Sequence, residues 1–232
     1  MIHAFETNAK PRLRRREAKI DDILDTALRI VYQHGLAGLT IQSLARQLDW
    51  AQGALYRYFK NKDALLAAME ARVLETFQKK LQASINQSPT KTKNHNQRSA
   101  ALKRIFTMGR AYMGLSHKEP HAFALIAIMV ADPTPLLPDA QAEKLIANFK
   151  ALLGDVAALL DDAVQVKALE NGDNMQRALS YWIAVHGLIQ SQKYGRFGDA
   201  LFATDALFEH FAESLLRGWG ATKKDLKSAI RE

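Results

Sequence analysis

The stretch from Thr40 to Asp63, TIQSLARQLDWAQGALYRYFKNKD, constrains this chain more than any other. It reads as a helix, a tight turn, a second short helix and an aromatic-rich exit into a third. Ile41, Leu44, Ala45 and Leu48 recur at helical spacing and mark one buried face. Ala45 is the small member of that set and lets a crossing helix come close. Thr40 stands just before the run as an N-cap, where its hydroxyl accepts a backbone N–H left free at the helix start. Asp49 and Trp50 carry the turn. The second helix is expected over Ala51 to Tyr58, with Leu55 and Phe59 facing inward. This is the pattern of a helix-turn-helix, whose second helix enters the DNA major groove.

The residues left on the open side suit that task. Gln52, Gly53, Tyr56 and Arg57 face outward in this reading. Gln pairs with adenine edges, Arg with guanine or phosphate, and a Tyr hydroxyl with phosphate. Gly53 lets the backbone sit close to the groove wall. Lys60 and Lys62 follow at the start of the next helix, where ammonium groups meet phosphates.

From Ala18 to Met69 the chain resembles the DNA-binding domain of the TetR family of bacterial transcriptional regulators. The residues that carry the resemblance are an amphipathic first helix, Gly35, Gly38-Leu39-Thr40, Ala45, Leu48, Leu55-Tyr56, Phe59, Lys62 and Leu65-Leu66. The Leu-Tyr-x-x-Phe-x-x-Lys run is its specific part. The resemblance implies that Thr40, Tyr56, Tyr58 and Lys62 hold phosphates, and that Gln42, Gln52 and Gly53 approach bases. Two positions depart from the family pattern. Asp49 stands where the turn usually has Gly, and Ala51 where the reading helix usually has a Ser or Thr cap. Asp tolerates a left-handed backbone at some cost. Ala51 forgoes a cap worth about 1 kcal/mol.

Composition agrees with a polyanionic partner. The formal net charge is +8 and the isoelectric point about 9.6. Charge alone also fits a basic protein with no nucleic-acid role. Lys10, Arg12, Arg14, Arg15, Arg16 and Lys19 form a basic run ahead of the first helix. It reads either as a solvated tail or as an arm that grips phosphates or the minor groove. The chain has no Cys, which excludes disulfides, thiolate chemistry and cysteine-based zinc sites. No apolar run approaches membrane-spanning length, and the N-terminus lacks a signal-peptide core, so a cytoplasmic protein is expected.

The whole chain reads as all-α. A first helix is expected over Glu17 to His34, ended by Gly35. A long fourth helix starts with Asn61 as its cap. Asn86 to Gln97 reads as a polar loop and Ala131 to Asp139 as a breaker cluster. Helices are expected over Arg98 to Leu115, from Pro120 to Val130, and from Leu145 through Val164 to a stop near Asn171-Gly172. The last two are expected over Asn174 to Tyr194 and Asp199 to Leu216. The division is a basic arm over 1–16, a helix-turn-helix domain over 17–60, and a larger helical domain over 61–232.

The last two helices are apolar on more than one face, which calls for burial on two sides. Trp182, Val185, His186, Ile189, Phe208, Phe211 and Leu215 are the candidate contacts with a second copy in a four-helix interface. Gly187 would allow close helix approach. The segment from Trp182 to Gly187 resembles a recurrent C-terminal pattern of one TetR subgroup, which implies a dimer through these helices.

The family resemblance also implies a small-molecule site among the helices after the fourth. Candidate wall and contact residues are Phe106, Arg110, Met113, Phe123, Met129, Phe149 and Trp182, of which the Met and aromatic residues also read as plain core, while Arg110 would need an anionic partner if buried. A mostly apolar wall suits a lipophilic or amphipathic effector. No cofactor or metal is expected: His117 and His121 are four apart but lack a third ligand. No phosphate loop or nucleophile elbow is present, so the chain does not read as an enzyme. The expectation is a homodimer that binds double-stranded DNA at a palindrome, most commonly as a repressor, and is released by a ligand. The rival is an architectural or partner-recruiting DNA-binding protein of the same fold with no ligand.

Overall fold

The computed structural model describes residues 3–86, 97–131 and 137–231, with side chains from Pro11 to Ile230. The described residues form α-helices and two 3-10 turns, and no strand occurs among them. The helices are α1 (His3–Gly38), α2 (Ile41–Gln47), α3 (Gln52–Leu55), α4 (Lys62–Asn86) and α5 (Gln97–Lys118). They continue as α6 (Pro120–Ala131), α7 (Asp139–Gln165), α8 (Asn174–Ser191), α9 (Thr204–Gly218) and α10 (Lys223–Arg231). Two 3-10 turns, Gln192–Phe197 and Ala200–Phe202, join α8 to α9. Most of the expected polar loop after Asn86 and of the breaker cluster after Ala131 lies outside the described residues.

Several elements differ from their sequence expectation. Helix α1 starts at His3, so the basic run is helical rather than a separate arm. Gly35, at φ 66°, breaks its regularity where a helix end was expected. The C-terminal end of α8 tightens into 3-10 turns instead of running to Tyr194. Helix α10 was not anticipated. Its sequence KKDLKSAIR is short and basic, but Leu226 and Ala229 share one buried face, which packs on α5. The Arg98 side chain pairs with Asp225 at 3.1 Å, and Thr222 caps the start.

The chain forms two compact units, Met1–Val73 with Glu119–Leu145, and Leu74–Lys118 with Ile146–Glu232. This differs from a simple division at residue 60. Helix α6 groups with the N-terminal helices because it packs on α1, where the Tyr32 and His121 rings lie 4.8 Å apart. In the first unit Ile23, Ala27 and Val31 of α1 are buried with Leu39, Leu44, Leu55, Leu65 and Met69. Arg72 of α4 donates to the Asp21 carbonyl and the Asp25 carboxylate, both at 2.9 Å, and so ties α4 to α1.

In the second unit α5 is the buried centre. Phe106 meets Phe208 of α9 edge-on at 6.1 Å, and both rings are fully buried. Gly109 is required here: a Cβ at this position would collide with the Tyr181 hydroxyl and the Phe208 ring. Phe208→Ala would leave a ring-sized void and lower stability by about 3–5 kcal/mol. The check is the midpoint of urea denaturation, and a loss below about 1 kcal/mol would contradict this packing.

Candidate functional site

The helix-turn-helix is assembled by local hydrogen bonds. Thr40 Oγ1 accepts from the Ser43 backbone N–H and Ser43 Oγ accepts from the Thr40 N–H, both at 2.9 Å. This reciprocal box starts α2 on the residue expected to cap it. Asp49 takes φ 55°, in the left-handed region, and the Trp50 N–H donates to the Ala45 carbonyl at 2.9 Å. Ala51 precedes α3 without a side-chain cap bond. Helix α3 spans Gln52–Leu55 and is then replaced by turns, in which Tyr58 N–H and Phe59 N–H both donate to the Leu55 carbonyl. The expected helix over Ala51 to Tyr58 is therefore shorter. A segment this short has no helical stability of its own. Leu55 and Phe59, 1% and 8% exposed, hold it in place by burial.

Gln42, Gln52, Gly53, Tyr56, Arg57 and Lys60 all stand exposed, as does Thr40. Tyr58 is half-buried, with its ring 5.8 Å from Trp50. The Arg16 guanidinium lies 5.9 Å over the Tyr58 ring and the Lys19 ammonium 4.6 Å over Trp50. Sequence reasoning placed Arg16 and Lys19 in the basic run but did not count them as site residues. Their spacing on one turn of α1 was the available signal, yet only the fold brings them to the aromatic pair. Lys62 is half-buried and donates to the Leu36 carbonyl at 3.2 Å. It is thus bonded within the protein, with two ammonium hydrogens still to offer. Asn61 Oδ1 accepts from Ala64 N–H at 2.9 Å, the cap expected for α4.

Glu70 of α4 is 1% exposed, and its Oε2 has no hydrogen-bond partner among the described residues. Burial raises its pKa to about 7. A carboxyl with a raised folded-state pKa keeps a proton that the unfolded chain has released. Stability therefore falls as pH rises from the ordinary carboxylate range through about 7.

In the second unit Leu81, Met108, Tyr112, Leu152, Val156 and Trp182 line a cavity of about 20 Å³, together with Gly109, Leu153, Tyr181 and Val185. That is room for one water. An open cleft of about 530 Å³ is lined by Arg110, Met113, Gly114, His117, Gln192, Thr204 and Asp205. The candidate effector residues are not brought to one place. Trp182 lines the cavity, and Phe149 packs on Trp182 edge-on at 4.8 Å. Arg110 and Met113 line the cleft, and Arg110 pairs with Glu209 at 2.7 Å. Phe106 is spent in the core, while Phe123 and Met129 belong to α6 in the first unit.

The candidate interface residues also divide. Val185, His186, Ile189 and Phe208 are buried inside the chain itself, so they do not offer a surface to a second copy. His186 Nδ1 is hydrogen-bonded with the Tyr112 hydroxyl at 3.0 Å and Nε2 with Gln190 at 3.2 Å. Burial lowers the His186 pKa and raises that of Tyr112. Trp182, Phe211 and Leu215 are half-buried. The outward side of α8 carries Met175, Leu179 and Ile183 instead, 44%, 38% and 56% exposed. An apolar helix has two apolar sides, and periodicity does not say which one its own core takes.

The family model for bacterial regulatory proteins of the tetR family matches residues 23–69, across α1 to α4. A second, for the tetracyclin repressor-like C-terminal domain, matches residues 105–215. The chain belongs to the TetR family. The transcriptional regulator BetI of Paraburkholderia phytofirmans is 38% identical over 64 residues, 28% of this chain and 33% of that protein. The class D tetracycline repressor of Escherichia coli is 39% identical over 54 residues, 23% of this chain and 25% of the repressor. The chain thus matches about a third or less of these curated relatives' length. Among solved structures, the fatty acid degradation regulator FadR of Bacillus halodurans superposes with TM-score 0.65 at 16% identity, covering 85% of this chain and 98% of that one. SmeT, the repressor of the Stenotrophomonas maltophilia multidrug efflux pump SmeDEF, gives TM-score 0.61 at 21% identity, covering 86% and 89%. At these identities the structural likeness concerns the fold. This TetR-family protein has, among its described residues, no helix long and apolar enough to cross a membrane.

Two outcomes are expected. Arg57→Ala leaves the thermal melt unchanged and reduces the log–log salt slope of DNA binding by about 0.9, whereas Lys62→Ala lowers both the melting temperature and DNA affinity. Glu70→Gln raises stability at pH 8 by about 1–3 kcal/mol and flattens its decline between pH 5 and 8. Denaturant titrations across that range check the sign, and an unchanged pH profile would contradict a buried carboxyl whose Oε2 lacks a partner among the described residues.

Proposed function

We propose that this protein is a homodimeric repressor that binds a short palindromic operator and is released by a small-molecule effector. The observation that carries the DNA role is the exposed face of α3. Gln52 and Gly53 stand there, and Tyr56 and Arg57 on the turn that follows, exposed and with no side-chain hydrogen bond among the described residues, flanked by Lys60 and by the basic residues of α1. In this reading Gln52 and Gly53 approach base edges. Arg57, Tyr56, Thr40 and the remaining hydrogens of Lys62 hold phosphates, and Gln42 approaches the groove from α2. Arg16 and Lys19 extend the phosphate grip along α1.

Dimerisation is supported by the outward stripe of α8. Met175, Leu179 and Ile183 recur every fourth residue, and the exposed Gly187 continues the row. Half-buried Phe211 and Leu215 of α9 supply a second row. Two such pairs make a self-complementary four-helix contact. A two-fold dimer matches a palindrome when its reading helices lie about 34–36 Å apart. An effector that binds one arrangement better than another shifts the population and hence the affinity.

Sheared genomic DNA offered to the purified protein at near-physiological salt tests the regulator reading. One or a few enriched palindromes are expected, and many dispersed sites would favour an architectural role. Leu179→Glu with Ile183→Glu is expected to shift sedimentation from dimer to monomer and to weaken operator binding at least about tenfold, since charges on an apolar contact cost several kcal/mol. A wild-type monomer that still binds the palindrome would contradict the dimer.

A further inference from the structure

We propose that α1 holds DNA a second time, through a stripe of Arg12, Arg16 and Lys19 that grips backbone phosphates beside the half-site without regard to their sequence. This rests on the reading of α3 as the element that enters the groove. It adds a contact from ahead of residue 23, where the match to the family begins.

The stripe continues the buried face of α1. At about 100° per residue, Arg12, Arg16, Lys19, Ile23, Ala27 and Ile30 fall within about 80° of arc. Ile23, Ala27 and Ile30 are buried in the first unit. Where α1 runs on past that core, the same face turns from apolar to cationic and is exposed. It overhangs the helix-turn-helix, with the Arg16 guanidinium 5.9 Å over the Tyr58 ring and the Lys19 ammonium 4.6 Å over Trp50. Arg12 lies one turn beyond Arg16, about 6 Å along the axis. From Arg12 to Lys19 the stripe spans about 10 Å, or three base-pair rises of duplex DNA.

Among the described residues no carboxylate forms an ion pair with Arg12, Arg16 or Lys19. The acids of the same helix, Glu17, Asp21, Asp22 and Asp25, fall outside the arc, and Asp21 and Asp25 pair with Arg72 of α4. Arg12 with Arg16, and Arg16 with Lys19, are like charges one turn apart, an arrangement that weakens a helix standing alone. A row of phosphates removes that repulsion and releases the counterions held by the DNA. The geometry also selects the backbone over the bases. A helix is about 10–12 Å across with its side chains and the minor groove about 6 Å wide, so α1 does not enter it. The major groove is taken by α3 in this reading. What remains within reach is the sugar-phosphate backbone, which carries no sequence information directly.

The test compares Arg12→Ala, and the double variant Arg12→Ala with Arg16→Ala, against Arg14→Ala. Arg14 is exposed on the opposite side of α1, so its variant removes the same charge from the wrong face. Each change puts a good helix former at an exposed position, and each variant is expected to keep the wild-type melting temperature. Binding is measured against salt on two duplexes of equal length, one holding the recovered palindrome and one a scrambled sequence. Arg12→Ala is expected to lower the log–log salt slope by about 0.9 per chain bound, and the double variant by about twice that. Arg12→Lys restores the slope, Arg14→Ala leaves it at the wild-type value, and the preference for the palindrome over the scrambled duplex stays the same throughout. An unchanged slope in the double variant overturns the proposal, as does an equal loss in Arg14→Ala and Arg12→Ala. A loss confined to the palindrome overturns it too, since the stripe would then read bases. A wild-type protein that enriches no palindrome contradicts the regulator reading instead.

Discussion

Burial of Leu55 and Phe59 is the contact on which the reading surface depends. Helix α3 has four residues and no side-chain cap, so its backbone bonds alone do not hold it. The outward placement of Gln52, Gly53, Tyr56 and Arg57 follows from two side chains that are buried, as Leu39 and Leu44 are, in the first unit. Upstream, the box between Thr40 and Ser43 and the left-handed Asp49 fix the path of the chain into that contact. Downstream, Asn61 caps α4 and Lys62 ties its start to the end of α1. The surface is therefore set by packing behind it, and its outward side chains are left to meet another molecule.

Much of this was legible from residue types. Thr40 and Asn61 cap because a short polar side chain before an apolar run has a free N–H to bind. Asp49 turns because its side chain tolerates positive φ. Other features were not legible. The end of α3 depends on the balance between a missing cap and tertiary burial, which spacing does not reveal. Apolar spacing puts Val185 and His186 on the outward side of α8, but the structure buries both. That helix is apolar around much of its circumference, and only the path of α5 decides that these two face inward. Helix α10 escaped notice because two or three apolar residues among lysines carry little periodic signal until α5 supplies the surface they cover. Phe106, Phe149 and Trp182 look alike in sequence; one is core, one is cover and one is cavity wall.

The second unit differs in kind from the first. The two tyrosine hydroxyls by its cavity are satisfied internally, Tyr181 by a carbonyl and Tyr112 by His186, so the space they surround is hydrocarbon-like. Helix α4 is continuous from Lys62 to Asn86, and Leu81 on it lines the cavity.

The most direct measurement is a double-mutant cycle between protein and DNA on a recovered palindrome. Each base pair of one half-site, with its symmetry mate, is changed in turn, and binding is compared for the wild-type protein and Gln52→Ala. The account predicts one position at which the change weakens wild-type binding by about 1–3 kcal/mol but leaves Gln52→Ala indifferent. If every position penalises both proteins equally, Gln52 reads no base and the face of α3 is not the reading surface.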